Sequence, residues 1–211
     1  IVESPLLKKS KEIKARMFVH LKTKTIYSLL EGAIFAKELA NQCCKFKMPA
    51  VGIADRANLF GALEFSEVLS DNGIQPIIGC QLPMSLKEAD LKKLRATDRI
   101  SMLFLAMNEL GYRNLMALST KFFLDDTYRY EGMSIREIDK FSDGLICLSG
   151  GDESPINNLL KDNKIKEAEN LLLHFKRTFG DRFYLEMNRH PLGENYSNKV
   201  NVEDQYFEIS G

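Results

Sequence analysis

The sequence predicts an α/β protein whose sheet is covered by helices. Six apolar runs of four to six residues alternate with longer stretches whose apolar side chains recur at helical spacing. Continuous apolar runs of this length are typical of strands buried on both faces, and their alternation with helices favours a parallel sheet. Functional groups in such folds lie at the carboxyl ends of the strands, so the strand ends are the candidate sites.

The predicted elements alternate along the chain and are separated by turn residues. Pro49 precedes the second strand, Asp55 follows it, and the turn at 71–73 ends the second helix. Strands are predicted at 17–21, 50–54, 76–80, 101–106, 144–149 and 183–186, and helices at 34–46, 62–69, 108–120 and 165–179. The strand ends carry residues 20–24, 55–56, 80–81, 150–153 and 188–190.

The composition is that of a globular protein. The 211 residues are 45% apolar and 27% charged, which excludes a disordered or fibrous chain. No uncharged apolar run approaches the ~18 residues of a membrane span, and the N-terminus carries no secretory signal. The four cysteines form no CxxC pair, so reduced and packed thiols are expected. We therefore expect a cytoplasmic protein without membrane contact. The absence of a starting Met indicates a fragment or an unusual open reading frame.

The net charge of zero is unevenly distributed. Residues 1–50 hold ten Lys and Arg against four Asp and Glu, whereas residues 51–211 hold nineteen against twenty-five. Much of the basic excess lies between Lys8 and Lys24. A basic, solvated leader is predicted at 1–16. Contact with DNA phosphates is the alternative, and it would be weak and salt-sensitive because no aromatic side chains interleave with residues 8–16 for base stacking.

Common catalytic motifs are missing from the sequence. Gly150-Gly151 is not followed by the Lys-Ser/Thr pair of a phosphate loop, and there is no GxSxG nucleophile elbow. Three histidines are few for a metal enzyme. His20 and His190 lie at strand ends, whereas His174 lies within a helix and is predicted at the surface or its boundary.

Longer strings carry a resemblance to a known family. The strings 18–33 (FVHLKTKTIYSLLEGA), 48–65 (MPAVGIADRANLFGALEF) and 73–80 (GIQPIIGC) resemble, in order, three signatures of the PHP (polymerase and histidinol phosphatase) domain. The resemblance is to the PHP domains at the N-terminus of bacterial replicative DNA polymerase III alpha subunits. Three further blocks, at 108–115, 144–150 and 183–190, continue the series with similar gaps.

The resemblance implies a fold and a domain organisation. It implies a distorted (βα) barrel of parallel strands that lacks its closing strand, in a PHP domain at 17–195. The basic leader at 1–16 precedes this domain, and a polar tail at 196–211 follows it, where the sequence is cut short. The polymerase palm, whose carboxylates bind two magnesium ions, is expected outside these residues, so this chain is not expected to polymerise DNA alone.

Several positions depart from the metal-bearing members of the family. Those members have His-x-His where this chain has Lys22 and Lys24, and a His where it has Arg56. Gln81 stands where a metal-binding Glu is usual, and Gly151 where a Cys is usual. Protonated Lys and Arg cannot donate an electron pair to a metal, and they repel a dication.

The residues that still match the family's pocket are few. They are His20, Glu31, Asp55 and His190. We therefore expect no catalytic residue and no cofactor in this chain. A divalent ion (Mg, Mn or Zn) on those four residues is expected only if the chain is an enzyme after all.

The resemblance implies a role in DNA replication. It implies the PHP module of a DNA-directed DNA polymerase, a nucleotidyltransferase, in which this degenerate domain is a catalytically inactive structural and docking module. Implied partners are the remaining polymerase domains, a proofreading exonuclease subunit and other replicase subunits, with DNA contacted weakly or indirectly. Two alternatives stay open: a stand-alone metal-dependent phosphoesterase and a non-functional remnant of a split gene.

Overall fold

A computed structural model describes residues 18–86 and 100–186, which form two compact units. The first unit comprises residues 18–55 and 60–78, and the second comprises 56–59, 79–86 and 100–186. The predicted leader at 1–16, the predicted tail at 196–211 and His190 lie outside the described residues. What the sequence predicts of them stays a prediction.

From the first predicted helix onward, the described elements follow the predicted order, with additional short helices. They are α1 (Ala36–Lys45), β1 (Ala50–Arg56), α2 (Ala62–Asp71), β2 (Gln75–Pro83), β3 (Ser101–Ala106), α3 (Glu109–Leu124), α4 (Asp126–Glu131), α5 (Ile135–Lys140), β4 (Leu145–Leu148), α6 (Pro155–Lys161), α7 (Ile165–Phe179) and β5 (Phe183–Tyr184), with 3₁₀ turns at Gly151–Glu153 and Gly180–Arg182. None of the described helices is long and apolar enough to cross a membrane.

The sheet is mixed rather than parallel. Its strands are hydrogen-bonded in the order β1-β2-β3-β4-β5, and among the described strands it does not close on itself. β3 is antiparallel to both β2 and β4, and β4 is parallel to β5. The α/β fold class is confirmed, but the prediction of an all-parallel sheet is wrong. β3 is apolar because it is buried on both faces, and burial does not depend on strand direction.

In the first unit, two helices bury their apolar faces with β1. The buried positions of α1 are 36, 39, 40 and 43, the spacing of one helical face, and polar residues occupy the rest of the helix. β1 is buried along its five central residues. The core of this unit consists of Ala36, Leu39, Ala40, Cys43, Val51, Ile53, Phe65, Leu69 and Ile74.

The predicted first strand is replaced by a short backbone crossing. Residues 18–22 carry no strand, and Thr23 forms an isolated parallel bridge with Ile53. The N–H of Gly52 donates to the carbonyl of His20 at 2.6 Å. A Cβ at position 52 would lie 2.7 Å from the carbonyl oxygen of Leu21, so glycine is required for the two backbones to approach this closely.

In the second unit, aromatic side chains from α7 pack on the sheet. Phe179 lies 6.0 Å from Phe104 between ring centroids, and Phe175 stacks on Phe183 at 5.9 Å. The first turn of α3 contacts the backbone directly at Gly144, the residue before β4. A Cβ on Gly111 would lie 1.9 Å from the carbonyl oxygen of Gly144, so no larger residue fits there without displacing the helix.

The cysteines are free thiols, as predicted. Cys43, Cys80 and Cys147 are buried, and Cys44 is exposed on the other face of α1. Burial raises the pKa of the Cys147 thiol well above its usual value and also raises that of Cys43. These buried thiols pack as small apolar side chains.

Candidate functional site

Asp55, at the end of β1, is the centre of a hydrogen-bonded cluster in the first unit. The residue is only 2% exposed. One carboxylate oxygen accepts from the Thr25 N–H at 2.7 Å and from the Ser28 hydroxyl at 2.6 Å. The other accepts from the Thr25 hydroxyl at 2.7 Å. Three uncharged donors thus satisfy a buried carboxylate, which would be costly to bury without them.

The segment that supplies these donors is a tight turn. The Ser28 N–H donates to the Thr25 carbonyl, and the Gly32 N–H donates to the Ser28 carbonyl, both at 2.9 Å. A Cβ at position 32 would lie 2.1 Å from the Thr25 oxygen, so only glycine fits. Leu30 lies at the tip of the turn with φ +64° and is 98% exposed. The surrounding hydrogen bonds therefore hold a backbone conformation that leucine rarely adopts.

Two ionisable pairs flank this turn. The Lys24 ammonium lies 2.5 Å from a carboxylate oxygen of Glu31, and both side chains are largely buried. The Tyr27 hydroxyl donates to Glu64 at 2.9 Å, and this hydrogen bond to a carboxylate raises the pKa of Tyr27. The carboxylate of Glu31 is therefore already bound to a cation of its own chain.

Glu153 is the centre of a second cluster, in the second unit. A single carboxylate oxygen lies 3.0 Å from the Arg56 guanidinium, 2.7 Å from the Gln81 amide nitrogen and 2.7 Å from the Ser101 hydroxyl. The Gln81 nitrogen also donates to the Ser101 hydroxyl at 2.6 Å. Gln81 and Ser101 are completely buried, whereas the Glu153 side chain is 33% exposed.

Backbone constraints fix the loop that carries Glu153. Gly150 has φ +97°, and a Cβ there would lie 2.3 Å from the Ser101 carbonyl oxygen, so the loop lies directly against the start of β3. Ser154 caps α6 by accepting from the N–H of Ile156 at 3.1 Å. The Gly151 carbonyl accepts from the side chain of Asn157 at 2.7 Å. Glu153 is therefore held between the glycines that precede it and the cap residue Ser154 that follows it.

The other predicted site residues have varied surroundings. His20 is exposed, and its ring lies edge-on to Phe18 with 4.7 Å between centroids. Lys22 is half-buried, and Gly151 is buried in the 3₁₀ turn. His174, predicted at the surface or its boundary, is 37% exposed and lies 3.0 Å from Asp139.

Sequence reasoning missed the central role of Glu153. The strand-end segment 150–153 contains Glu153, but the resemblance to the PHP family pointed to Gly151 in that segment instead. Its partner Arg56 is 97 residues away along the chain, so no local pattern indicates their pairing. The usable signal was the strand-end rule itself, applied to every charged residue of that segment.

Comparison with known proteins identifies the family. The model of the PHP domain family matches residues 20–190. The chain belongs to the PHP domain family. It is 44% identical over 176 residues to the DNA polymerase III subunit alpha of Caulobacter vibrioides and 37% identical over 177 residues to that of Borreliella burgdorferi. Each alignment covers 83% of this chain and 15% of the relative, so the chain spans about a seventh of the length of these relatives.

A solved structure gives a more distant likeness. An amidohydrolase from Chromobacterium violaceum is 10% identical, with a TM-score of 0.46, over 89% of this chain and 96% of that one. No property of this chain follows from a likeness at that level. The family assignment rests on the matched PHP residues and on the identities of the polymerase subunits.

In the described part of this PHP domain, the donor set does not fit a cluster of divalent metals. Within residues 18–86 and 100–186, no group of three or more His, Cys, Asp or Glu is arranged to hold a metal ion. Glu31 and Glu153 accept from Lys24 and Arg56, and Gln81 directs its amide nitrogen at Glu153. An ammonium, a guanidinium and an amide nitrogen supply donors where a metal needs electron pairs.

Proposed function

We propose that this chain is the N-terminal PHP module of a bacterial DNA polymerase III alpha subunit and that it acts there as a structural and docking domain without phosphoesterase activity. The relatives from Caulobacter vibrioides and Borreliella burgdorferi support the replicative context. The proposal includes a cytoplasmic location, as expected for a replication protein.

The cluster around Glu153 is the observation that carries the absence of hydrolysis. Phosphoester hydrolysis by metal-bearing PHP domains needs metal-activated water, which needs free carboxylate and imidazole electron pairs. Here one carboxylate oxygen of Glu153 is occupied by three donors, one of them the permanent cation Arg56. A dication placed on that oxygen would have to displace the guanidinium or lie beside it, and both are unfavourable.

The proposal assigns partners as well. The remaining polymerase domains are the primary partner, and a proofreading exonuclease subunit and other replicase subunits dock on the same module. Contact with DNA is weak or indirect. The names of the relatives support the polymerase context, and the exonuclease and replicase partners are what the family resemblance implies.

A domain exchange tests the structural role. The matching PHP segment of the Caulobacter vibrioides alpha subunit is replaced by this chain, and primer extension and co-purification with the exonuclease subunit of that organism are measured. We expect the chimaera to retain both. A chimaera carrying Gly111→Val is the control, because the added side chain collides with the Gly144 backbone and unfolds the module. A folded chimaera without primer extension would show that this domain does not serve a polymerase.

A hydrolysis assay tests the absence of catalysis. The purified chain is incubated with phosphomonoester and phosphodiester substrates in the presence of Mg²⁺, Mn²⁺ or Zn²⁺. We expect no turnover above that of the Asp55→Asn variant. Metal-dependent turnover that this variant loses while it remains folded would establish the stand-alone phosphoesterase instead.

A further inference from the structure

We propose that Arg56 is an internal counter-ion that fulfils the electrostatic role of a bound metal, so that the cluster around Glu153 is stabilised by a cation belonging to the chain itself. Lys24 does the same for Glu31 in the first unit. This inference rests on contacts within each unit and does not depend on the role in replication.

At Glu153 a positive charge completes a cluster of neutral donors. A fully buried amide and a fully buried hydroxyl converge on the same carboxylate oxygen at 2.7 Å each. Those two dipoles orient the carboxylate, and a nearby cation lowers the cost of its negative charge in a partly buried setting. The guanidinium of Arg56 at 3.0 Å is that cation.

Hydrogen bonds fix the backbone around Arg56. The N–H of the next residue, Ala57, donates to the Gln81 carbonyl at 2.9 Å, and the Ala57 carbonyl accepts from the Ser119 hydroxyl at 2.8 Å. The Arg56 carbonyl accepts from the Asn58 side chain at 2.9 Å. These bonds tie the backbone around Arg56 to β2 and α3, so only the side chain of Arg56 has to be ordered when the guanidinium binds the carboxylate.

The first unit uses the same device. The Lys24 ammonium binds Glu31 at 2.5 Å, and the side chains are 21% and 13% exposed. Thr25, the neighbour of Lys24, is fixed by its two hydrogen bonds to Asp55. In each unit a cation adjacent to a rigid backbone segment neutralises a carboxylate. At these two carboxylates, folding is therefore expected to need no divalent ion.

A double-mutant cycle tests the proposal on the full chain. Thermal unfolding is measured for Arg56→Gln, Glu153→Gln and the double variant. Each single variant is expected to lower the Tm by roughly 3–8 °C, because each removes the ion pair between the two side chains. The double variant is expected to lose clearly less than the sum of the two. Additive losses would overturn the proposal, because they would show that the two charges do not interact.

Metal dependence provides the second readout. The Tm of the wild-type chain is expected to be the same in EDTA and in about 1 mM MnCl₂, whereas Arg56→Gln is expected to gain stability from Mn²⁺ because Glu153 has lost its counter-ion. A wild-type Tm that falls in EDTA, or stoichiometric metal in the purified chain, would overturn the proposal. Unchanged behaviour of Arg56→Gln in Mn²⁺ would count against it as well.

Two further variants separate charge from packing. Arg113→Gln removes an ion pair with Glu109 whose side chains are 69% and 78% exposed, and it is expected to change the Tm by no more than about 2 °C. Arg56→Lys keeps the charge and is expected to retain more stability than Arg56→Gln. If Arg56→Gln cannot be purified, the double variant decides. Its recovery as a folded protein supports the counter-ion role, and its failure to fold overturns it.

Discussion

Asp55 and Glu153 show two ways in which a protein accommodates a carboxylate at a strand end. Asp55 is 2% exposed, and the structure gives it only uncharged donors, two hydroxyls and one backbone N–H. Glu153 is 33% exposed, and a guanidinium contributes to its three donors. The first arrangement depends on the exact positions of dipoles in one turn, and the second depends on a charge that remains effective when geometry relaxes. The two clusters should therefore respond differently to substitution and salt.

Replacing the carboxylate of Asp55 should have the largest effect. Asp55→Asn puts an N–H₂ group where the structure has only donors, so at least one hydrogen bond is lost and one donor is left buried without a partner. We expect a loss of about 3 kcal/mol in the free energy of unfolding, measured by urea denaturation. The control is Asp71→Asn, an exposed residue of the same unit, which should change stability by less than about 0.5 kcal/mol. Equal stability of Asp55→Asn and wild type would contradict the inference that Asp55 is stabilised by its three uncharged donors.

Removing one hydroxyl from each cluster sharpens the comparison. Thr25→Val deletes a donor to Asp55 while keeping the side-chain shape, and Ser101→Ala deletes a donor to Glu153. We expect losses of about 2 kcal/mol and about 1 kcal/mol respectively, because Arg56 still compensates Glu153 in the second variant. Urea denaturation of the two variants side by side is the measurement. A larger loss of stability for Ser101→Ala than for Thr25→Val would contradict the view that the Asp55 cluster depends more strongly on each single donor.

Glu137 extends the comparison to pH, because this buried carboxylate has two lysines. Lys140 hydrogen-bonds it and Lys121 lies 3.1 Å away, and both lower the pKa of Glu137 below its usual value. A pKa lowered in the folded state contributes stability above the unfolded pKa, and this contribution is lost as pH falls through the folded value. The stability difference between wild type and Glu137→Gln should thus be about 1 kcal/mol near pH 7. It should shrink once the pH falls below the usual pKa of a glutamate and vanish below the lowered pKa of Glu137. A difference that persists in acid would assign the effect to packing instead.

Salt should produce the smallest effect and should act on one cluster only. Between about 0.05 and about 0.5 M NaCl, the stability difference between wild type and Glu153→Gln should shrink by about 0.5 kcal/mol, because the partly exposed pair with Arg56 is screened. The difference between wild type and Thr25→Val should stay constant, since it involves no cation. Chemical denaturation at the two salt concentrations is the measurement. Equal salt dependence of the two differences would show that Glu153 is stabilised by dipoles alone.

Helices with a strong apolar periodicity were predictable from the sequence, and helices without one were not. α7 was predicted at 165–179, its observed span, because its buried residues follow one helical face and Gly180 ends it with φ +55°. α4 buries no residue at all, so it carries no apolar period to detect. It is fixed by a cap instead, since Asp125 accepts from the N–H of Thr127 at 2.8 Å.

The candidate site was predictable only in part. Asp55, Glu31 and the cations Lys24 and Arg56 were identified because their strings resemble those of the PHP family. Which cation meets which carboxylate could not be predicted for the second unit, because that pairing depends on a contact between residues 97 positions apart. Strand direction was missed for a similar reason: the antiparallel pairing of β3 is a property of the topology, and the composition of a doubly buried strand is the same in either direction.

The reactivity of the four cysteine thiols can report where the chain unfolds. Cys44 is exposed and should be alkylated at once, whereas Cys43 in the first unit and Cys80 and Cys147 in the second react only when their surroundings open. Mass spectrometry of partly labelled chains therefore times the opening of each unit separately, without any engineered probe. Labelling of Cys43 ahead of the other two would identify the first unit as the less stable, and simultaneous labelling of all three would show that the units unfold together.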